Sequence, residues 1–488
     1  MADNDSGAGA ADRRGGFSLA VHENKYLPAD GTEVVAVLTV TGERLAGPAG
    51  GPAAAEVILL DCSGSMADPL TKLFSAKEAT NAAIDALRDG VRFAVVHGTH
   101  EARMIYPGHQ GLVAADAHSR AAAKAAVGRL TASGGTAISS WLRLAELLLA
   151  GHSGAVRHAM LITDGKQEHE TRADLNETLT GCAGRFGCDA RGIGDEWDPT
   201  ELRHITTALG GSTRGVARLE EMVADFRELM GAAMRRSVPD VDLLVRTVAM
   251  ASLREARQVF PTVADLTAQT VRVDADTVRL TTGAWADETR EYLLAIGIDT
   301  ADREPGEDRL AARVQVEVRG ADADELDTPP PALIMVHWTN DPVLTARLDA
   351  RVTHYAGQEE LGDAVRAGCD AYHSKDWPAA VAELGRAVRL ATESGNTAVL
   401  RDLARLVETV DAANGVVRLR GDVSVSELLA TEAGSAFTAA YSVAAQPESP
   451  APIAAGPPRE CPKEDCGYRS APDAVVCENC RTPLDAPS

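Results

Sequence analysis

Asp61-Cys-Ser63-Gly-Ser65 places three oxygen-bearing side chains at alternate positions. The four residues before them, 57–60, are an unbroken apolar run, the pattern of a strand buried on both faces. A carboxylate and two hydroxyls therefore stand at the C-terminal end of a buried strand, where open α/β sheets place their ligands. Such donors suit a hard divalent cation. Mg²⁺ takes six oxygens in octahedral geometry, keeps several waters and uses only one or two carboxylates. A second group lies near the C-terminus: Cys461, Cys466, Cys477 and Cys480, spaced C-x4-C and C-x2-C with ten residues between. Two thiolate pairs at these spacings close a tetrahedral Zn²⁺ site. With four cysteines it has no open position, so the expected role is structural, and the metal supplies the folding free energy of a segment too short for a core.

The first motif must be held by a strand and a helix. Asp68 is in place to cap a helix with Pro69 at its first position, and Leu73, Ala76, Ala79 and Ile84 give it an apolar face. At this point the motif resembles the metal-ion-dependent adhesion site of von Willebrand factor A domains, the family that includes integrin I domains. The resemblance implies two further site members on later loops. Thr136, in Gly-Gly-Thr, and Asp164, in Leu-Ile-Thr-Asp-Gly, stand in the matching order. Carried over from the family, Ser63 and Ser65 bind Mg²⁺ (or Mn²⁺) directly. Thr136 binds it directly or through water, while Asp61 and Asp164 act largely through water and orient the hydroxyls. The resemblance also implies that an acidic residue of a partner protein completes the shell.

The chain has 488 residues, long enough for two to four domains, and 45% of them are hydrophobic. Its 48 basic and 71 acidic residues give a net charge of −23, which argues against nucleic acid and anionic membrane as partners. Neither a secretory leader nor a membrane-length apolar run is evident. The expected location is the cytoplasm, with Cys62, Cys182, Cys188 and Cys369 reduced.

The expected architecture is α/β: a doubly wound, mostly parallel, Rossmann-like sheet inserted in or flanked by an antiparallel β-sandwich, then a small helical domain and a zinc ribbon. A disordered tail is expected over 1–16 and two sandwich strands within 17–50. Strand–helix alternation marks the A domain over 54–236. Short β-rich runs put the rest of the sandwich at 237–340. Helical periodicity covers 341–443, where a Tyr372…Asp376-Trp377 pattern resembles a single tetratricopeptide hairpin. A Pro/Ala-rich linker over 444–459 leads to the ribbon at 460–484. On another loop at the same sheet end, Asp195, Trp197 and Asp198 are expected to rim the metal site.

Neither a nucleophile elbow, a P-loop nor a dinucleotide fingerprint occurs, so no catalytic residue is assigned and the protein is expected not to be an enzyme. The whole pattern is similar to bacterial intracellular A-domain proteins, including those related to tellurium-resistance proteins, which are associated with kinases and phosphatases. The expected function is a metal-dependent protein–protein interaction scaffold in a signalling or stress-response complex. An accessory subunit of an ATPase or metal-chelatase type complex is the alternative, and a metal-assisted hydrolase the third reading.

Overall fold

The computed structural model describes residues 14–45, 53–108, 111–165, 169–299, 306–320, 323–442, 459–460, 466 and 469–470. The chain divides into two units after Ala440. Within the first, a seven-stranded sheet carries the Asp-x-Ser-x-Ser motif. Its parallel strands lie in the order Thr213–Val216, Gly187–Ile193, Val156–Thr163, Ala54–Asp61, Arg92–Gly98. Ala102–Tyr106 and Val113–Ala114 pair antiparallel with the last of these. Ala54–Asp61 is central, and all eight of its residues are buried.

The physical reason is visible in its two faces. Side chains alternate along a strand. Ile58 and Leu60 pack with Ala76, Ala79, Phe226 and Met230, while Val57 and Leu59 pack with Ile138, Trp141 and Leu142. Each such side chain contributes about 2 kcal/mol by leaving water. Helices therefore cover both faces, and the loops after the strands are left free at one rim.

The first helix starts later than its sequence suggests. It spans Thr71–Ala86, preceded by a 3₁₀ turn, Gly64–Ala67. Asp68 does not cap the helix: it is extended, and its N–H closes the 3₁₀ turn onto Ser65 O. Asp68 is thus spent on the turn that carries Ser65, and Pro69 lies before the helix's N-cap residue, Leu70.

Two further sheets share one apolar core. One has the order Gly16–Glu23, Glu33–Glu43, Glu288–Ile298, Ala251–Phe260, Ala264–Asp265. The other runs Val271–Arg272, Thr277–Trp285, Val238–Thr247, Asp308–Arg319, Ala332–Thr339, Tyr26–Pro28. Val34, Leu38 and Tyr292 of the first meet Leu243, Val314 and Trp338 of the second. Glu33–Glu43 pairs with Glu288–Ile298 along most of its length, so strands on both sides of the α/β segment belong to one sheet. Ala251–Phe260 escapes sequence reading because Arg254, Glu255, Arg257 and Gln258 break its apolar alternation.

Helices Ala350–His373 and Trp377–Glu393 form an antiparallel hairpin around Val365, Cys369, Leu384 and Val388. The third helix, Thr397–Leu406, ends earlier than its periodicity suggests. Val407–Asp411 leaves it as a strand and pairs with Val416–Leu419. The β-branched Val407, Thr409 and Val410, followed by Asn414-Gly415, favour a hairpin over a further helical turn. The last helix, Val425–Gly434, bridges this bundle and the α/β sheet edge, with Leu428 in the bundle's core. A Cβ at Gly215 would lie 2.5 Å from Ala430 Cα, so only glycine permits this approach. Ser426 Oγ donates to Ala217 O at 3.2 Å, and Arg203 donates to Ser435 Oγ at 3.1 Å.

The tail over 1–13, most of the 444–459 linker, and Cys461, Cys477 and Cys480 lie outside the described residues. Of the expected zinc ligands only Cys466 is described, half-buried.

Candidate functional site

The residues expected to hold the metal sit at one rim of the parallel sheet, on two loops that follow strands and one that joins two helices. Ala54–Asp61 delivers Asp61 into the turn holding Ser63 and Ser65; Val156–Thr163 delivers Asp164; Thr136 lies just before helix Ile138–Leu149. Backbone hydrogen bonds sew these loops together. Gly64 N–H donates to Gly134 O and Ser133 N–H to Cys62 O, both at 2.8 Å. Ala137 N–H donates to Thr99 O at 3.2 Å. The side chains are thus carried by a rigid frame.

Asp61 is fully buried, and both of its oxygens are engaged. Ser63 N–H donates to Oδ1 at 2.8 Å and the Thr163 hydroxyl to Oδ2 at 2.6 Å. Burial pushes its carboxyl up to about 6; the Thr163 hydrogen bond opposes this and the charge of Asp164 adds to it. Ser63 Oγ lies 2.9 Å from Ser65 Oγ, which donates to Asp164 Oδ1 at 2.8 Å. The point one bond off the Gly165 Cα where a side chain would begin is 3.5 Å from Thr136 Oγ1 and 3.7 Å from Ser65 Oγ. Both hydroxyls therefore border the same small space, kept open by a glycine.

The donor set can be tested against the cation it is expected to hold. Six oxygens at 2.0–2.1 Å in an octahedron leave adjacent oxygens about 2.9 Å apart. The two serine hydroxyls have that separation. Among the described residues no three His, Cys, Asp or Glu side chains gather into a metal-binding group. The donors here are instead hydroxyls with carboxylates behind them, an oxygen set suited to a hard dication.

Lys72 and Thr163 are neighbours of the candidate site that sequence reading missed. Lys72 is buried on the first helix. Its Nζ lies 2.7 Å from Asp164 Oδ2 and donates to Ser65 O at 3.2 Å. Nothing local announces this: its neighbours Leu70, Thr71, Leu73 and Phe74 do not distinguish it from a surface lysine. Thr163 was readable only as the residue before Asp164.

Ser63, Ser65, Thr136 and Gly165 line an open cleft of about 430 Å³. Asp195, Glu196 and Trp197 line another side of it. Asp195 and Glu196 are exposed; Trp197 is buried and donates to Gly194 O at 3.2 Å. Asp198 caps the next helix instead, accepting from Thr200 N–H and Glu201 N–H. The far wall belongs to the C-terminal helices: His373, Val425 and Leu429. His373 ends helix Ala350–His373 and Val425 opens helix Val425–Gly434. Docking the last helix on Gly215 is what carries Val425 and Leu429 to this cleft.

This combination of parallel sheet and hydroxyl-rich rim defines a von Willebrand factor type A fold, and the chain belongs to the von Willebrand factor type A family. The family models for the von Willebrand factor type A domain and for its C-terminal domain match residues 55–214 and 389–435. The second match covers part of the helical wall. A solved von Willebrand factor type A protein from Catenulispora acidiphila is 39% identical, with 89% of this chain and 99% of that one aligned at a TM-score of 0.78. The ArnB paralog VWA2 from Sulfolobus acidocaldarius shares the fold at 11% identity, covering 86% of this chain and 99% of that one with a TM-score of 0.51. An uncharacterized protein of Synechocystis sp. is 29% identical over 218 residues, 43% of this chain and half of that protein's length.

Among the described residues no helix is long and apolar enough to cross a membrane.

Proposed function

We propose that the protein is a metal-dependent protein-binding scaffold. Ser63 and Ser65 hold a divalent cation, Mg²⁺ or Mn²⁺, with Thr136 as the third hydroxyl. Asp61 and Asp164 orient these hydroxyls and supply negative charge behind them. A bound dication favours ionised Asp61 and offers an electrophilic position to a carboxylate from outside. The partner thus presents an Asp or Glu side chain, which enters between the metal loops and the wall of His373, Val425 and Leu429. The apolar members of that wall favour an aliphatic or aromatic neighbour beside the acidic residue.

The observation that carries this reading is the chain of contacts Ser63 Oγ–Ser65 Oγ–Asp164 Oδ1 at 2.9 and 2.8 Å, at the mouth of an open cleft. The reading is non-enzymatic: Asp195, Glu196 and His373, the titratable groups among the described lining residues, are taken as part of the binding rim. A kinase- or phosphatase-linked signalling complex is the setting that the sequence pattern favours.

Calorimetric titration with Mg²⁺ and Mn²⁺ tests the metal site. Wild type should bind one ion per chain at this site, and Ser65→Ala should lose it. Partners captured by wild type should be released by EDTA and absent with Asp61→Ala. Capture that survives both treatments refutes the proposal.

A further inference from the structure

We propose that Lys72 sets the net charge of the loaded metal site and so makes it a receptor for one carboxylate. This rests on the metal-site reading above and deepens it. Three charged side chains are buried together here: Asp61 and Asp164, both fully, and Lys72 at 3% exposure. Together they sum to one negative charge. A dication brings the sum to one positive charge, and a partner's carboxylate then brings it to zero. Without the ammonium the same dication gives zero by itself, and an entering carboxylate leaves an uncompensated charge in a poorly solvated place. Lys72 therefore acts in two opposed directions: it weakens the cation and strengthens the acidic ligand.

The geometry fixes the ammonium in this role. Asp164 divides its oxygens, with Oδ1 accepting from Ser65 Oγ and Oδ2 from Lys72 Nζ. The ion pair thus leaves the serine side of the carboxylate in place while neutralising the other. Gly194, at φ +74°, closes the next loop over the lysine; a Cβ there would lie 3.1 Å from Lys72 Cε and 3.4 Å from Nζ. The ammonium is held by the Ser65 carbonyl and the loop above, and cannot exchange its place for bulk water. Asp195 and Glu196, also on this cleft, are exposed and screened by water and salt, so they enter the balance weakly.

A structural lysine and a charge-setting lysine make different predictions. The probes are Mn²⁺, followed by electron paramagnetic resonance, and acetate, followed by loss of Mn²⁺-bound water in proton relaxation. In full-length Lys72→Met, purified with Mn²⁺ present, the metal should bind about tenfold tighter or more and acetate about tenfold weaker. Lys72→Arg, which keeps the charge, should stay near wild type in both. Should the Met variant not fold, Lys72→Gln keeps a donor to Asp164 and carries the same test. A neutral variant that takes up Mn²⁺ no more tightly, or acetate as well as wild type does, overturns the role of Lys72 and leaves the metal site standing. Wild type without Mn²⁺ uptake overturns both.

Discussion

His158 should make the protein less stable as pH rises from neutral to about 9. It lies near the start of its strand, at the sheet end opposite the metal loops. Nδ1 is 2.9 Å from Glu56 Oε2 and Nε2 is 2.9 Å from Asp189 Oδ2. Arg236 reaches the same Asp189 oxygen at 3.1 Å, and Ser212 donates its N–H and hydroxyl to the other, each at 2.7 Å. Burial alone would lower the imidazole's proton affinity. The charge of Glu56 and hydrogen bonds to Asp189 and Glu56 outweigh it, and raise the pKa from 6.5 to about 9. Below pH 6.5 the folded and unfolded chains both carry the proton, and the stabilisation is complete. Between 6.5 and about 9 only the folded chain holds it. Stability then falls by about 1.4 kcal/mol per pH unit, or about 3 kcal/mol over the window. Burial also raises the Glu56 carboxyl, a shift of the same sign whose contribution begins at its ordinary value of 4.5. The window stops at 9 because buried thiols, with Cys62 pushed up to about 12 and Cys182 to about 11, contribute above it. Thermal melts at constant ionic strength should show a steady loss from pH 6.5 to 9. In His158→Gln the slope should flatten, and the midpoint at pH 7 should drop, since removing one partner of a buried ion pair costs about 3–5 kcal/mol. A flat wild-type profile, or an unchanged slope in the variant, refutes this account of the network.

Two other expectations concern the cleft and the C-terminus. Val425→Asp places an acid at the first position of a helix, where it suits the helix dipole and leaves the fold intact; it should reduce capture of an acidic partner about tenfold or more while Mn²⁺ titration stays unchanged. The full-length chain should contain about one zinc per molecule by atomic emission, lost in Cys477→Ala, with the Mn²⁺ site unaffected.

Much of the α/β segment was legible because its signals are local. The buried strand before Asp61, the hydroxyls at alternate positions, and the later Thr136 and Asp164 follow the chain in order. Helix starts were less legible where two structures compete for the same residues. Asp68 and Pro69 have the chemistry of a helix start, yet Asp68 closes the 3₁₀ turn carrying Ser65 and the helix begins later, at Thr71. The polar strand Ala251–Phe260 failed for the converse reason: its pairing partner, not its own periodicity, makes it a strand. The hairpin after Leu406 carried local signals, in Val407, Thr409, Val410 and Asn414-Gly415, that the helical periodicity before it masked.

By itself the sequence determined the kind of chemistry available, since oxygen donors at strand ends are specified by residue type and short spacing. Only tertiary structure decided the charge and shape of the place where that chemistry occurs. Lys72 meets Asp164 across 92 positions of chain because two helix-covered strands lie side by side. The opposite wall comes from Val425 and Leu429, carried in by a helix that fits against Gly215. Neither contact leaves a local pattern, because ion pairing and packing depend on distance through space, while periodicity reports only which face of one element is apolar.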